Sequence, residues 1–276
     1  MNIELERHLT IKADGTIASE CLSSESGLSR QRIKQAMKKG AVWLTHNGHT
    51  QRLRRATRTL NHDDTLHLYY NERILSATPP AAQLIADEGA YTVWYKPCGM
   101  FSQGSKWGDH CTINRWAEQH LQPERPAFVV HRLDRAANGL IIVAHRKQTA
   151  AALARLFQQR TIEKRYRVIV HGQFPTQIQT MDGDIDGRSA SSTATLIKFD
   201  SEQQRSLLEV KINSGRKHQI RRHLAEFGFP VIGDQLYGQT EDTNDLQLTA
   251  FSLSFVCPVS NEQKTFKLDE KLSPHL

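Results

Sequence analysis

Cysteine is scarce in this 276-residue chain, and the four present, Cys21, Cys98, Cys111 and Cys257, are scattered. No C-x-x-C pair or neighbouring histidine stands at metal-ligand spacing, which argues against a disulfide framework or a zinc site and leaves four reduced thiols without a shared task. Long apolar runs are missing too, so no membrane span is expected. The opening Met1-Asn-Ile-Glu-Leu-Glu-Arg7 lacks the charged-then-apolar order of a signal peptide, and a cytoplasmic protein is expected. Neither a glycine-rich cofactor loop nor a zinc-deaminase signature is found, which excludes a methyltransferase or deaminase reading. Asp182-Gly-Asp-Ile-Asp-Gly187 imitates the start of a calcium loop, but the twelfth position holds Thr193 where an acidic residue is required. A polar loop between strands is expected there, with no metal.

Acidic residues are absent from one stretch in particular. Between Leu28 and Leu60 there is no Asp or Glu, while Arg30, Arg32, Lys34, Lys38, Lys39, Arg52, Arg54, Arg55 and Arg58 all fall within it. A solvated face ordinarily carries both signs, so this run reads as a nucleic-acid surface. The chain as a whole carries a net charge of +7 and a pI of about 9.3, which suits a polyanionic partner.

Apolar spacing places a helix from Ile17 and a second one capped by Ser29, with Ile33, Ala36 and Met37 on one face and Gly40 as its end. Residues 1 to 16 read as a short strand or a frayed tail. Ala41–Leu44 and Thr65–Tyr70 read as strands, and Thr78-Pro-Pro-Ala-Ala82 marks a linker, because proline continues neither a helix nor a central strand. Strands are expected at Tyr91–Tyr95, Phe128–Val130, Ile162–Val170, Thr193–Phe199 and Ser206–Ile212. Helices are expected at Thr112–Leu121, at Lys147–Gln159 with Ala151, Leu153, Ala154, Leu156 and Phe157 inward, and at Gly215–Phe227. Interspersed elements with strands in excess favour an α+β domain on a mixed or antiparallel sheet.

His131-Arg-Leu-Asp134-Arg-Ala-Ala-Asn-Gly-Leu140 sets one carboxylate between two guanidinium groups, ahead of the apolar run Leu140–Val143. This reads as a functional loop with a tight Asn138-Gly139 bend leading into a buried strand. Neighbouring cations favour the anionic carboxylate, which is then available as a nucleophile or base. Arg216, Lys217, Arg221 and Arg222 near a helix start would hold a phosphate or a buried carboxylate. With Tyr166 as an aromatic ring, these segments would make a pocket for a nucleobase.

Lys96-Pro-Cys-Gly-Met100, His131-Arg-Leu-Asp134 with Gly139-Leu140, Lys164-Arg-Tyr166, Ser214-Gly-Arg-Lys-His-Gln-Ile-Arg221 with His223, and Pro230-Val-Ile-Gly-Asp234 with Leu236-Tyr-Gly238 together resemble the RluA-type family of RNA pseudouridine synthases, over about residues 90 to 257. Residues 28 to 44, the basic loop and Asn61–Leu68 resemble the small RNA-binding domain named after ribosomal protein S-four. The resemblance implies an RNA-binding domain at 11–72, a linker at 73–89 and a catalytic domain at 90–276. It implies an isomerase that needs no cofactor, with Asp134 as the catalytic aspartate and Tyr166 as the ring stacked on the target base. Arg216 would hold Asp134 by an ion pair, and Arg132 would fill the gap left by the flipped uridine. RNA contacts are expected from Arg132 and, in the N-terminal domain, from Arg30, Arg32, Lys34, Lys38, Lys39, Arg54 and Arg55. Ribosomal RNA is the favoured substrate, with transfer RNA as the alternative and a catalytically silent RNA-binding protein as the competing class. Where family members carry Thr-Ser-Gly after the aspartate loop this chain has Ala137-Asn138-Gly139, so an altered loop rigidity or substrate choice is expected.

Overall fold

The computed structural model describes residues 3–239, 242 and 244–276. In chain order the elements are β1 (Glu4–Thr10), β2 (Thr16–Ile17), α1 (Ala18–Ser26), α2 (Arg30–Lys38), β3 (Val42–His46), β4 (His49–Arg52), β5 (Thr59–Leu60), β6 (Thr65–Asn71), α3 (Glu72–Ser76), β7 (Gln83–Asp87), β8 (Tyr91–Lys96) and α4 (Ile113–His120). They continue with β9 (Phe128–Val129), β10 (Asn138–Ala144), α5 (Lys147–Gln158), β11 (Glu163–His171), β12 (Gln179–Ile185), β13 (Arg188–Asp200), β14 (Arg205–Ile212), α6 (Gln219–Glu226), β15 (Leu248–Val256) and β16 (Gln263–Lys267). The chain falls into two compact units, Met1–Pro79 with Gln103–Trp116, and Pro80–Ser102 with Ala117–Leu276.

In the first unit the sheet runs β1-β6-β3-β4. The start of the chain is therefore a paired strand, with Leu5 opposite Tyr70 and Leu9 opposite Leu66. Ser29 caps α2 by accepting from the Arg32 amide, and Ile33, Ala36 and Met37 are buried as their spacing requires. They pack with Leu22, Leu44, Leu66 and Leu68 in a single core. The residues from 103 to 116 group with this unit and not with the strands that follow them, a placement their sequence does not announce. Secondary structure enters the stretch from 73 to 89 at both ends, with the last four residues of α3 and all of β7. Asn71 caps α3 by accepting from Ile74 N.

The second unit is built on a ten-stranded sheet whose main path is β12-β13-β14-β11-β15-β10-β8-β7, with β16 on β15 and β9 on β10. Only the β10–β15 pair is parallel among the described strands, so the unit is α+β on a mixed, largely antiparallel sheet. Val168, Val170, Leu208, Val210 and Leu248 form one core with Ile220 and Leu224 of α6. Tyr91, Val93, Leu140, Ile142, Phe251 and Phe255 form another, onto which α5 sets Leu153. Leu156 and Phe157 pack there as expected, but Ala150 takes the place anticipated for Ala151, which is exposed.

Three expectations change. Asn138 and Gly139 do not form a bend; they begin β10 and pair with Thr249 and Ala250 of β15. Glycine is required because its φ is +114° and a Cβ would lie 2.4 Å from Ala250 O. The stretch from 182 to 187 is not a loop but the end of β12 and a two-residue hairpin turn, with Asp186 and Gly187 at φ +53° and +70°, the pattern of a primed turn. The helix expected from Gly215 begins only at Gln219, because the preceding residues form a separate turn.

Candidate active site

Asp134 lies in the connection between β9 and β10, and that connection is held from both sides. The Ser102 hydroxyl donates to Leu133 O at 2.7 Å and accepts from Leu133 N at 2.9 Å. Gly99 N donates to Arg135 O at 2.8 Å. The Lys96 ammonium, at the end of β8, reaches Met100 O at 2.9 Å, Pro97 O at 3.0 Å and Arg135 O at 3.5 Å. Burial lowers the pKa of that ammonium to about 8, and the three carbonyls take the place of lost water. His131 accepts from Ile142 N at 2.9 Å and stacks on Phe157 with ring centres 4.2 Å apart. Burial, followed by the charge of Lys164, lowers its pKa to about 3, so it serves as a neutral acceptor.

At the two positions where altered loop rigidity is expected, both side chains are engaged. Ala137 is buried in the core beside α6, and the Asn138 side chain accepts a short hydrogen bond from the Thr249 hydroxyl.

Tyr166 is brought to Asp134 by β11. The strand has an irregularity against β15 between Arg165 and Tyr166, and such bulges re-aim side chains beside active sites. Tyr166, Asp134, Arg132, Arg216 and His218 share the lining of a pocket of about 90 Å³, together with Leu248. Burial first, and the Asp134 charge second, push the Tyr166 phenol well above its ordinary pKa, so it is a neutral hydrogen-bond donor at working pH.

The turn before α6 is held by the Gln219 side chain, whose Oε1 accepts from Ser214 Oγ at 2.6 Å and Arg216 N at 3.1 Å. The Gln219 amide nitrogen donates to Ser191 O at 2.9 Å, and Lys164 Nζ donates to Ser214 O at 3.3 Å. His218 then takes a left-handed conformation, φ +55°. Its Nδ1 lies 3.0 Å from the Tyr237 hydroxyl and its Nε2 lies 3.8 Å from Asp134 Oδ1. Burial holds this imidazole below the usual histidine range.

The ion pair assigned to Arg216 is a correction. Arg216 stands in the turn ahead of the helix, and its Nε donates to Ser189 O at 3.2 Å. The guanidinium on Asp134 belongs to Arg221, in the first turn of α6, with Nη1 at 3.4 Å from Oδ2. Arg221 is itself fixed by Asp234, which accepts from Nε at 2.7 Å and from Nη2 at 2.6 Å. Burial alone would raise the Asp234 pKa; the Arg221 fork and the Leu236 and Tyr237 amides hold it lower than usual. Both residues stand in the sequence motifs, but spacing alone does not reveal which arginine faces the carboxylate. Arg132 is exposed on the pocket rim.

In the first unit the acid-free run acquires acids from elsewhere in the chain. Arg30 pairs with Glu20 at 2.5 Å and Arg32 with Glu72 at 3.4 Å. Arg52 pairs with Asp109 at 3.1 Å, and Arg54 makes a shorter contact to the same carboxylate. The Lys39 ammonium donates to Leu75 O. Arg54 and Lys39 thus have structural tasks, a correction to the expectation that they are displayed to a ligand. Lys34, Lys38 and Arg55 are exposed and enter no ion pair among the described residues. Among the described residues no group of three or more His, Cys, Asp or Glu side chains could hold a metal ion.

Comparison with known proteins adds a second line of support. The family model described as RNA pseudouridylate synthase matches residues 90–226. An uncharacterized RNA pseudouridine synthase of Aquifex aeolicus is 29% identical over 276 aligned residues, covering 88% of this chain and 86% of that protein. The dual-specificity RNA pseudouridine synthase RluA of Vibrio parahaemolyticus is 27% identical, over 67% of this chain and 81% of its own. Among solved structures, human RNA pseudouridylate synthase domain containing 1 shares the fold with a TM-score of 0.59 at 19% identity, over 70% of this chain and 86% of that one. Residues 90–226 belong to the RluA-type family of RNA pseudouridine synthases, and the protein is an isomerase.

Proposed function

We propose that the protein converts a uridine of ribosomal RNA to pseudouridine, with Asp134 as the essential carboxylate. The observation that carries this reading is that Asp134 and Tyr166 wall one pocket, with Arg221 at 3.4 Å from the carboxylate. Isomerisation adds and removes no atoms. The bond from the ribose to uracil nitrogen breaks, the base turns, and a carbon of the base takes the nitrogen's place while its proton leaves and the nitrogen gains one. Asp134 attacks or assists at the ribose, and Arg221 holds the carboxylate at one orientation, so reorganisation at the moment of reaction is small. Tyr166 stacks on the extruded uracil and, as a neutral phenol, donates a hydrogen bond along the proton's route.

Extruding a base costs about a few kcal/mol, which stacking and cationic contacts offset; Arg132 on the rim is placed to occupy the vacated stack. The first unit serves affinity, as an S-four-like domain whose Lys34, Lys38 and Arg55 meet phosphates without reading sequence. Such a domain favours a ribosomal target over transfer RNA. The experiment is a map of pseudouridines in total RNA from cells with and without the protein. The proposal expects sites in ribosomal RNA to vanish; sites lost only from transfer RNA would move the target, and an unchanged map would refute the reading.

A further inference from the structure

Asp134 borders a second space, distinct from the Tyr166 pocket. It is a cleft of about 530 Å³ lined by Cys98, Asp134, Arg135, Leu236, Asn244 and Asp245 among others. Two features of its wall are unusual for a surface that must admit a polyanion. The first is a stacking surface at its edge: the guanidinium of Arg135, which lines the cleft, lies 4.8 Å from the centre of the Phe101 ring outside the lining, and that ring is 41% exposed. Leu236, at 66% exposed, adds apolar surface to the lining. The second is Asp245, an exposed carboxylate that enters no ion pair among the described residues. Its neighbour is the Cys98 thiol, whose pKa is raised first by burial and then by the Asp245 charge.

A carboxylate without a cation repels phosphate and accepts from N–H donors. In RNA those donors are base edges. Adenine, cytosine and guanine each present an exocyclic amino group; uracil has none, and its one base-edge donor is the ring N3–H, flanked by two carbonyls that a carboxylate repels. Stacking on an aromatic–guanidinium pair is indifferent to base identity, so in this cleft discrimination falls to the polar edge. We propose that the cleft receives the nucleobase adjacent to the target uridine, stacked at the edge formed by Arg135 and the Phe101 ring against it, and that Asp245 selects a base bearing an amino group over uracil. This rests on the reading that Asp134 carries the chemistry, since the cleft takes its position from that residue.

The test uses short unmodified transcripts around the converted uridine, with each adjacent position set in turn to adenine, cytosine, guanine or uracil. With the full-length protein, kcat/KM at one adjacent position is expected to be roughly ten- to hundredfold lower for uracil than for the other three. Asp245→Ala and Asp245→Asn should bring the four within about threefold of one another, the amide because its NH₂ group can donate to a uracil carbonyl. Phe101→Ala should raise KM for all four bases alike. A wild-type enzyme indifferent at both adjacent positions, or a preference that survives both Asp245 substitutions, would overturn the inference. Asp134→Asn runs alongside: activity in that variant removes the catalytic reading, whereas its inactivity with a flat neighbour profile in the wild type removes only the role of Asp245.

Discussion

Arg221 divides one guanidinium between two aspartates. Nε and Nη2 form a fork on Asp234 at 2.7 and 2.6 Å, and the remaining nitrogen, Nη1, lies 3.4 Å from Asp134 Oδ2. A planar fork held at two points can aim its third nitrogen in only one direction, so Asp234, itself buried, fixes the orientation of Asp134 through Arg221. The sheet supplies the frame. β10 brings the aspartate loop in, β11 brings Tyr166, and α6 begins at the turn held by Gln219.

Arg221→Lys keeps the charge and loses the fork. Its saturated rate of pseudouridine formation should fall by about tenfold or more, and by more than that of Arg216→Ala. Arg221→Ala should also destabilise the fold by about 3–5 kcal/mol in urea unfolding, because it leaves Asp234 buried and unpaired. A larger loss of turnover for Arg216→Ala than for Arg221→Lys would return the pairing role to Arg216.

Tyr166→Phe retains the ring and loses the hydroxyl. With the phenol held neutral by burial and by Asp134, the hydroxyl acts as a donor. The variant should therefore keep KM within a few-fold while kcat falls by roughly a hundredfold or more. An unchanged kcat would reduce Tyr166 to a stacking surface.

His131 links stability to pH. Its folded pKa is about 3, below the unfolded value of about 6.5. Between the two the unfolded chain binds more protons, so the stabilisation is complete above the unfolded value and is lost as pH falls below it. Relative to His131→Gln, which keeps an acceptor for Ile142 N, the wild-type protein should lose about 2 kcal/mol of unfolding free energy between pH 7.5 and 5. Urea melts at the two pH values measure this, and parallel losses in both proteins would contradict it.

Much of this architecture was legible in the sequence, for identifiable reasons. Ser29 and the Ile33, Ala36 and Met37 spacing are local signals, and the helix lies there. The apolar run after Gly139 likewise forms a buried strand. What misled was long-range. Asn138-Gly139 carries the local signature of a bend, yet the close approach of Ala250 is what requires its glycine. The basic run looked unpaired because Glu20, Glu72 and Asp109 lie outside it. The choice between Arg216 and Arg221 turned on where α6 begins, and that depends on the hydrogen bonds of Gln219.

Residues 103–116 group with the first unit, so a chain cut near Gln83 would leave that segment without its unit. Neutralising Lys34, Lys38 and Arg55 together leaves the fold's own ion pairs in place. The triple Gln variant should bind RNA more weakly and flatten the dependence of log affinity on log salt by up to about two to three, with kcat at saturating RNA little changed. An unaltered salt slope would remove these side chains from the phosphate contacts.

The most direct measurement concerns Asp134 itself. Asp134→Asn deletes the reactive charge and keeps the shape of the side chain beside Arg221. Single-turnover pseudouridine formation and RNA affinity would be measured on the same purified protein. The account predicts no detectable product with affinity within a few-fold of wild type; substantial turnover by the Asp134→Asn protein would contradict it.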